Sequence, residues 1–238
     1  MESPDALELL ATGEVEVLGL LPYASNYTFL ARVGSGSTKL HAVYKPQRGE
    51  RPLWDFPPGT LAAREVAAFV ASDEGGWNIV PPTVLRGDAP LGSGSLQLFV
   101  EHDPERHYFV LVEERRDDMA AFAAFDAVVN NADRKAGHVL EGRDGKLWAV
   151  DHGVTFNLEP KLRTVIWEFA EEPLPDAIRS RLQGMQPALE PGGRTYETLA
   201  SLLSPEEAEA TADRVRSLLS DGYFPAPTSE RPLPWPLI

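Results

Sequence analysis

A chain of 238 residues can bury a sizeable core, as one domain of two lobes or as two small domains. Hydrophobic residues at 43% and charged residues at 24% exclude a disordered chain. The absence of Cys excludes a disulfide framework, a thiolate zinc site, an iron–sulfur cluster and a thiol nucleophile. A net charge of −14, from 36 acids and 22 bases, removes any bulk attraction for nucleic acid or anionic lipid, so no nucleic-acid partner is expected. The first residues carry no basic region followed by an apolar core, and no apolar run approaches the roughly 20 residues of a membrane helix, so a cytoplasmic location is expected.

In chain order, residues 14–21, 27–33 and 40–44 read as three strands, the last two joined by the turn Gly34-Ser35-Gly36-Ser37. Residues 46–59 hold four prolines and read as loop. A helix follows, with Thr60 as its cap and Leu61, Glu65, Val66, Phe69 and Val70 at helical spacing, until Gly75-Gly76 stops it. Residues 79–85 and 96–100 read as two further strands. From about Glu101 the texture turns helical. Residues 117–130 form an apolar helix with Met119, Phe122, Phe125 and Val129 on one face. Short strands at 138–140 and 146–150 flank Gly145, and helices are expected at 175–183, 196–203 and 205–219. The last of these opens on the capping box Ser204-Pro205-Glu206-Glu207 and stops near Gly222. Residues 223–238 hold five prolines and read as loop or polyproline. The expected architecture is α+β, with a β-rich lobe over 1–101, a mainly helical lobe over 102–222, a proline-rich tail over 223–238, and a cleft between the lobes.

Three polar features stand out. Asn130-Asn131-Ala132-Asp133-Arg134-Lys135-Ala136-Gly137-His138 joins an apolar helix to a strand. Asp151-His152-Gly153 ends an apolar strand. Lys45, one of only five lysines, ends another, with Glu65 twenty residues on as a candidate carboxylate partner. Taken singly, each reads equally as a polar loop, a strand-end turn or a solvent-reaching lysine. Together, a hairpin bringing Asp133, His138 and Asp151 to one end would cluster acids that need a cation or a proton beside them. The five histidines show neither an H-x₃-H nor an H-E-x-x-H pattern, so no structural zinc site is expected.

The order of these features, over residues from about 15 to 170, resembles the protein-kinase-like fold. It is most similar to the phosphatidylinositol 3-/4-kinase-like branch together with the HipA-type kinases, and to a group of actinobacterial proteins related distantly to lipid kinases. The Arg-over-Lys, Ala- and Pro-rich composition fits a high-GC genome. The resemblance implies a two-lobed fold and a phosphotransferase using ATP and Mg²⁺ or Mn²⁺. In it, Lys45 would meet the ATP phosphates and be held by Glu65. Asp133 would take the proton of the acceptor hydroxyl, Lys135 would steady the γ-phosphate, and Asp151 would hold the metal. Gln97, Val100 and Glu101 would lie at the adenine-binding hinge. Asp126 would either brace the loop or be an ordinary helix-surface acid.

Two departures accompany the resemblance. The phosphate-covering loop between the first two strands, from Tyr23 to Thr28, has no glycine, leaving backbone N–H groups with Ser25, Asn26 and Thr28 to meet phosphate. The Gly34-Ser35-Gly36 run falls one hairpin too late to serve there. His138 stands where the pattern carries Asn as a metal ligand, and imidazole suits Mn²⁺ better than Mg²⁺. The acceptor is expected to be a hydroxyl of a soluble protein or a metabolite, and a membrane lipid is disfavoured by the acidic chain. The alternative is a nucleotide-binding pseudokinase or interaction module without transfer.

Overall fold

The computed structural model describes residues 3–22 and 27–238. Five antiparallel strands, β1 (Glu14–Leu20), β2 (Phe29–Ser35), β3 (Thr38–Pro46), β4 (Thr83–Arg86) and β5 (Gly94–Leu98), form one sheet in the order β1-β2-β3-β5-β4. Ala31, Val33, Leu40, Ala42, Tyr44 and Leu96 point to one side of it. They pack on Ala6, Leu9 and Leu10 of a helix the sequence reading did not anticipate, α1 (Ser3–Thr12). Arg86 caps that helix by donating to the carbonyls of Leu10 (2.9 Å) and Gly13 (3.1 Å), where a cation suits both the orphan carbonyls and the dipole. The expected turn over Gly34–Ser37 is tighter than read: Gly34 and Ser35 pair with Lys39 and Thr38 as the end of β2, and Gly36 (φ 58) and Ser37 alone make the β2–β3 turn.

Helix α2 (Leu61–Glu74) has ten of its fourteen residues buried, because it packs on both lobes. Its small face of Ala67, Ala68 and Ala71 joins the large core of the helical lobe. Arg64, 1% exposed, crosses to that lobe through the Thr155 carbonyl (2.7 Å) and Glu207 (2.7 Å), while Glu74 accepts from Thr195 Oγ1 (2.6 Å). The expected cap is corrected: Thr60 stands at the cap position and its carbonyl accepts Arg64 N (3.1 Å), but its side chain accepts no backbone N–H of the helix, and the Glu50 carboxylate takes the N–H of Ala62 instead, at 3.1 Å. The expected strand over 79–85 is also shorter, starting at Thr83. Pro81 and Pro82 have no N–H for a ladder.

The helical lobe comprises α3 (Tyr108–Glu114), α4 (Arg116–Val129), α5 (Asp176–Leu189), α6 (Arg194–Leu202) and α7 (Pro205–Asp221), with a hairpin of β6 (Val139–Glu141) and β7 (Leu147–Ala149). Met119, Phe122, Phe125 and Val129 of α4 are all buried, as their spacing predicts. Helix α5 outruns its expected end at 183 and carries Pro187 in its last turn. The carbonyl that proline leaves unpaired belongs to Gln183, which is exposed and can be hydrated. Helix α7 keeps its expected cap, with Ser204 Oγ accepting from Glu207 N at 3.2 Å and Gly222 closing the end at φ 76. Among the described residues no helix is long and apolar enough to cross a membrane.

Candidate active site

The site lies where the end of β3, the middle of α2 and the two loops around the β6–β7 hairpin meet. Lys45, at the penultimate position of β3, sends its stem inward and its ammonium between two carboxylates. It donates to Glu65 Oε1 and, at 2.7 Å, to Asp151 Oδ1. Glu65 is 3% exposed, and its second oxygen accepts the backbone N–H of His152 at 3.0 Å. One acid on α2 thus fixes both the lysine and the turn that follows Asp151. Burial opposes the charge on Lys45, yet Asp151 and Glu65 outweigh it and raise the ammonium above its ordinary range. Asp151 is the converse: desolvation would raise its carboxyl, but Lys45 and then His138 hold it well below the usual carboxylate range.

Asp151 sits at φ 61, in the left-handed region that non-glycine residues seldom occupy. What holds it there is Arg134, 0% exposed, whose guanidinium donates to the carbonyl of Val150 (2.8 Å) on one side of Asp151 and to His152 Nε2 (2.7 Å) on the other. The same guanidinium is paired with buried Asp126 of α4 at 2.8 and 2.9 Å, and it reaches the His138 carbonyl at 3.3 Å. Asn131 completes the network, donating to Asp126 Oδ1 (2.9 Å) and accepting the N–H of Asp133 (3.0 Å). Of the two readings of Asp126, the loop brace is the one observed. Burial and Arg134 push the His152 imidazole well below its ordinary pKa, so it is neutral and accepts from the arginine.

Asp133 leads the loop, with its carboxylate 3.1 Å from Lys135 Nζ. Burial raises its pKa, with the Lys135 ammonium acting against the rise. His138 turns back so that its Nδ1 faces the Lys135 N–H (3.4 Å) and its Nε2 faces Asp151 Oδ2 (3.3 Å). This leaves its proton on Nε2, directed at the carboxylate. Burial depresses its pKa to about 4, so the ring is neutral near pH 7. Lys45, Glu65, Asp133, Lys135, His138 and Asp151 therefore converge, and Asp133 and Asp151 are partly open to solvent. Their chemistry suits an anion at Lys45 and a divalent cation beside Asp151. Among the described residues no three His, Asp or Glu side chains form a metal cage. One carboxylate with one neighbouring imidazole still fits a cation whose other ligands are phosphate oxygens and water.

The remaining expected residues are placed differently. Ser25 and Asn26 lie outside the described residues. Thr28 is buried at the base of that connection, its carbonyl accepting Leu21 N at 2.8 Å. Gln97 is buried inside β5, paired with Val43 and Thr83 on its two sides, and its amide nitrogen donates to Thr83 Oγ1 (2.9 Å) within the sheet. Val100 and Glu101 follow the end of β5. The Val100 carbonyl accepts from His102 (2.8 Å), and the Glu101 carboxylate reaches Arg143 (2.8 Å). An open concavity of about 680 Å³ lined by Gln47, Arg48 and residues 90–93 includes none of these site residues and carries no carboxylate. Sequence reasoning gave no role to Arg134, Asn131 or His152. The available signal was an arginine between Asp133 and Lys135 in a loop flanked on both sides by apolar elements.

No protein-family model matches the chain. Protein Rv2133c of Mycobacterium tuberculosis is 41% identical to it over 267 residues, covering 98% of this chain and 95% of that protein. The chain belongs to the family of Rv2133c. Among solved structures, the Golgi casein kinase with Mn/ADP bound superposes with a TM-score of 0.57 at 14% identity, covering 91% of this chain and 74% of the other. The Helicobacter pylori proinflammatory kinase CtkA superposes with a TM-score of 0.53 at 10% identity, covering 90% and 94%. At such identities the likeness is one of fold: the Rv2133c family member described here has a two-lobed, protein-kinase-like fold.

Proposed function

We propose that this protein is an atypical kinase, an ATP- and divalent-metal-dependent phosphotransferase that moves the γ-phosphoryl group of ATP to a hydroxyl of a soluble protein or small molecule. The observation that carries the reading is Lys45 bridging Glu65 of α2 and Asp151 after the β6–β7 hairpin, with the partly exposed Asp133 beside Lys135 on the neighbouring loop. A charge triad built on a buried Glu65, with Lys45 and Asp151 partly open to solvent, suits an incoming anion and cation. The fold likeness to a kinase whose structure holds Mn/ADP supports the choice of nucleotide and metal. The order Lys45, Glu65, the 130–138 loop and Asp151 supports a place near the phosphatidylinositol 3-/4-kinase-like and HipA-type branch.

Phosphoryl transfer asks for positioning and charge neutralisation. In this reading Lys45 binds the α/β-phosphates, and Glu65 orients it. Asp133 accepts the proton of the acceptor hydroxyl as its oxygen bonds to the γ-phosphorus and the bond from that phosphorus to the β–γ bridging oxygen breaks. Lys135 steadies the γ-phosphoryl oxygens. Asp151 and His138 would hold the cation, which when bound neutralises phosphate charge. Ligation through His138 Nε2 requires its proton to move to Nδ1, giving up the contact with the Lys135 N–H. A second reading, a nucleotide-binding module without transfer, is favoured by that observation, because the Nε2 proton points at Asp151 where an oxygen ligand would serve a metal directly. Incubation with ATP labelled at the γ and, separately, at the α position decides between them. Label passing from the γ position alone is the expected result. Bound nucleotide with no label released from either position would favour the module.

A further inference from the structure

Residues 223–238 form no helix or strand, yet they are pinned beside the site. The Leu237 carbonyl accepts the N–H of Ala136, the residue after Lys135, at 2.8 Å. The Pro232 carbonyl accepts two donors, Thr164 N (3.1 Å) and Trp167 Nε1 (3.0 Å). Pro234 between them is buried, and Leu237 packs on the core of the helical lobe. Thr164 and Trp167 belong to the segment that pairs with the Asp133 loop: Arg134 N donates to Arg163 O (2.9 Å), and Val165 N donates to Arg134 O (3.1 Å). The loop carrying Asp133 and Lys135 is thus bonded along one side by residues 163–165 and just beyond Lys135 by the tail. The tail also grips residues 164 and 167.

The composition suits this role. Pro232, Pro234 and Pro236 have no N–H, so half of residues 232–237 offer a carbonyl without a donor of their own to satisfy. Proline also narrows the conformations open to the free segment, so ordering it costs less entropy. None of the contacts that set Lys45, Glu65 and Asp151 involves it.

We propose that residues 232–237 are a positioning strap for phosphoryl transfer, setting the Asp133–Lys135 loop against residues 163–167 while leaving nucleotide binding to the rest of the site. This rests on the phosphotransferase reading. The test compares the full chain, a chain lacking residues 231–238, and Trp167→Phe, which removes one donor to the strap. ATP dissociation constants and the Mn²⁺-dependent release of labelled γ-phosphate to water are measured for each. The truncated chain is expected to lose about tenfold in kcat with its ATP Kd within twofold, since small misplacements of reacting groups carry such penalties. Trp167→Phe should lose about threefold in kcat, in line with one hydrogen bond. A synthetic peptide of residues 230–238 should restore turnover to the truncated chain, and hydrogen exchange at 133–138 should rise on truncation and fall again with the peptide. Unchanged kcat on truncation, or kcat and ATP affinity falling together, overturns the strap while the phosphotransferase reading stands. A full chain that neither binds ATP nor releases phosphate overturns that reading, and the strap's role with it.

Discussion

Asp126→Asn keeps the volume of the side chain and removes its charge, and it should be among the most damaging single changes outside the cleft. Asp126 and Arg134 are both 0% exposed, so no water can take over the lost interaction. The guanidinium would keep the carbonyls of Val150 and His138 and the neutral ring of His152, but none of these carries a counter-charge. The new amide would turn its NH₂ toward Asn131 or toward Arg134, both of which donate to that position now. Breaking a buried pair in this way costs about 3–5 kcal/mol. For a chain of this size each kcal/mol lowers the melting temperature by about 2–4 °C, giving a fall of roughly 6–20 °C. The control is Asp118→Asn, which breaks the exposed Arg115–Asp118 pair (2.7 Å) and should cost less than about 1 kcal/mol. Thermal unfolding followed by circular dichroism reads both. If Asp126→Asn melts within 2 °C of the control, Arg134 is not the buried keystone of the two loops.

Lys45→Ala should weaken ATP binding at least tenfold, and Glu65→Ala less so; equilibrium titration that finds both unchanged would reduce the pair to a plain salt bridge. Because Glu65 also holds the His152 N–H, its loss should disturb the Asp151 turn, visible as a larger Mn²⁺ requirement than Lys45→Ala shows. Activity should be higher with Mn²⁺ than with Mg²⁺, and His138→Asn should narrow the gap by supplying an oxygen ligand; superimposable metal titrations of the two proteins would remove His138 from the metal site. Stability should fall with acid. His138, depressed to about 4, and His152, well below its ordinary value, stay neutral in the folded protein but protonate near pH 6.5 when it unfolds. Their contribution is complete above that pH and is lost progressively as pH drops from about 6.5 toward 4. Melting temperatures between pH 7.5 and 5 should decline and decline less in His138→Asn; a flat profile in the wild type contradicts this.

Much of this site was legible because each key residue breaks an apolar pattern. Lys45 ends a strand, Glu65 interrupts an apolar helix, and Asp133 and Asp151 bracket a hairpin. Arg134 was not legible, since its meaning depends on Asp126 eight residues earlier and on carbonyls at 138 and 150 that only the folded loops bring together. Helix α1 does show apolar spacing at Ala6, Leu9 and Leu10, but its value depends on a sheet face far along the chain. The shift of the fourth strand to Thr83 follows from Pro81 and Pro82 and could have been read. Gln97 shows another limit of the sequence: its side-chain bond to Thr83 across the sheet could not be read from a polar residue near a strand end. The tail was read correctly as irregular, but its carbonyl contacts with Ala136, Thr164 and Trp167 leave no trace in composition.

The central claim is that Asp133 acts on an acceptor while Lys45 and Asp151 serve the nucleotide. The most direct measurement is transfer from γ-labelled ATP by wild type and by Asp133→Asn, with ATP affinity determined for both proteins in Mn²⁺. The account predicts a loss of at least about 100-fold in transfer, the scale of a missing general base, with ATP affinity within a few-fold. Transfer at the wild-type rate in Asp133→Asn would contradict it.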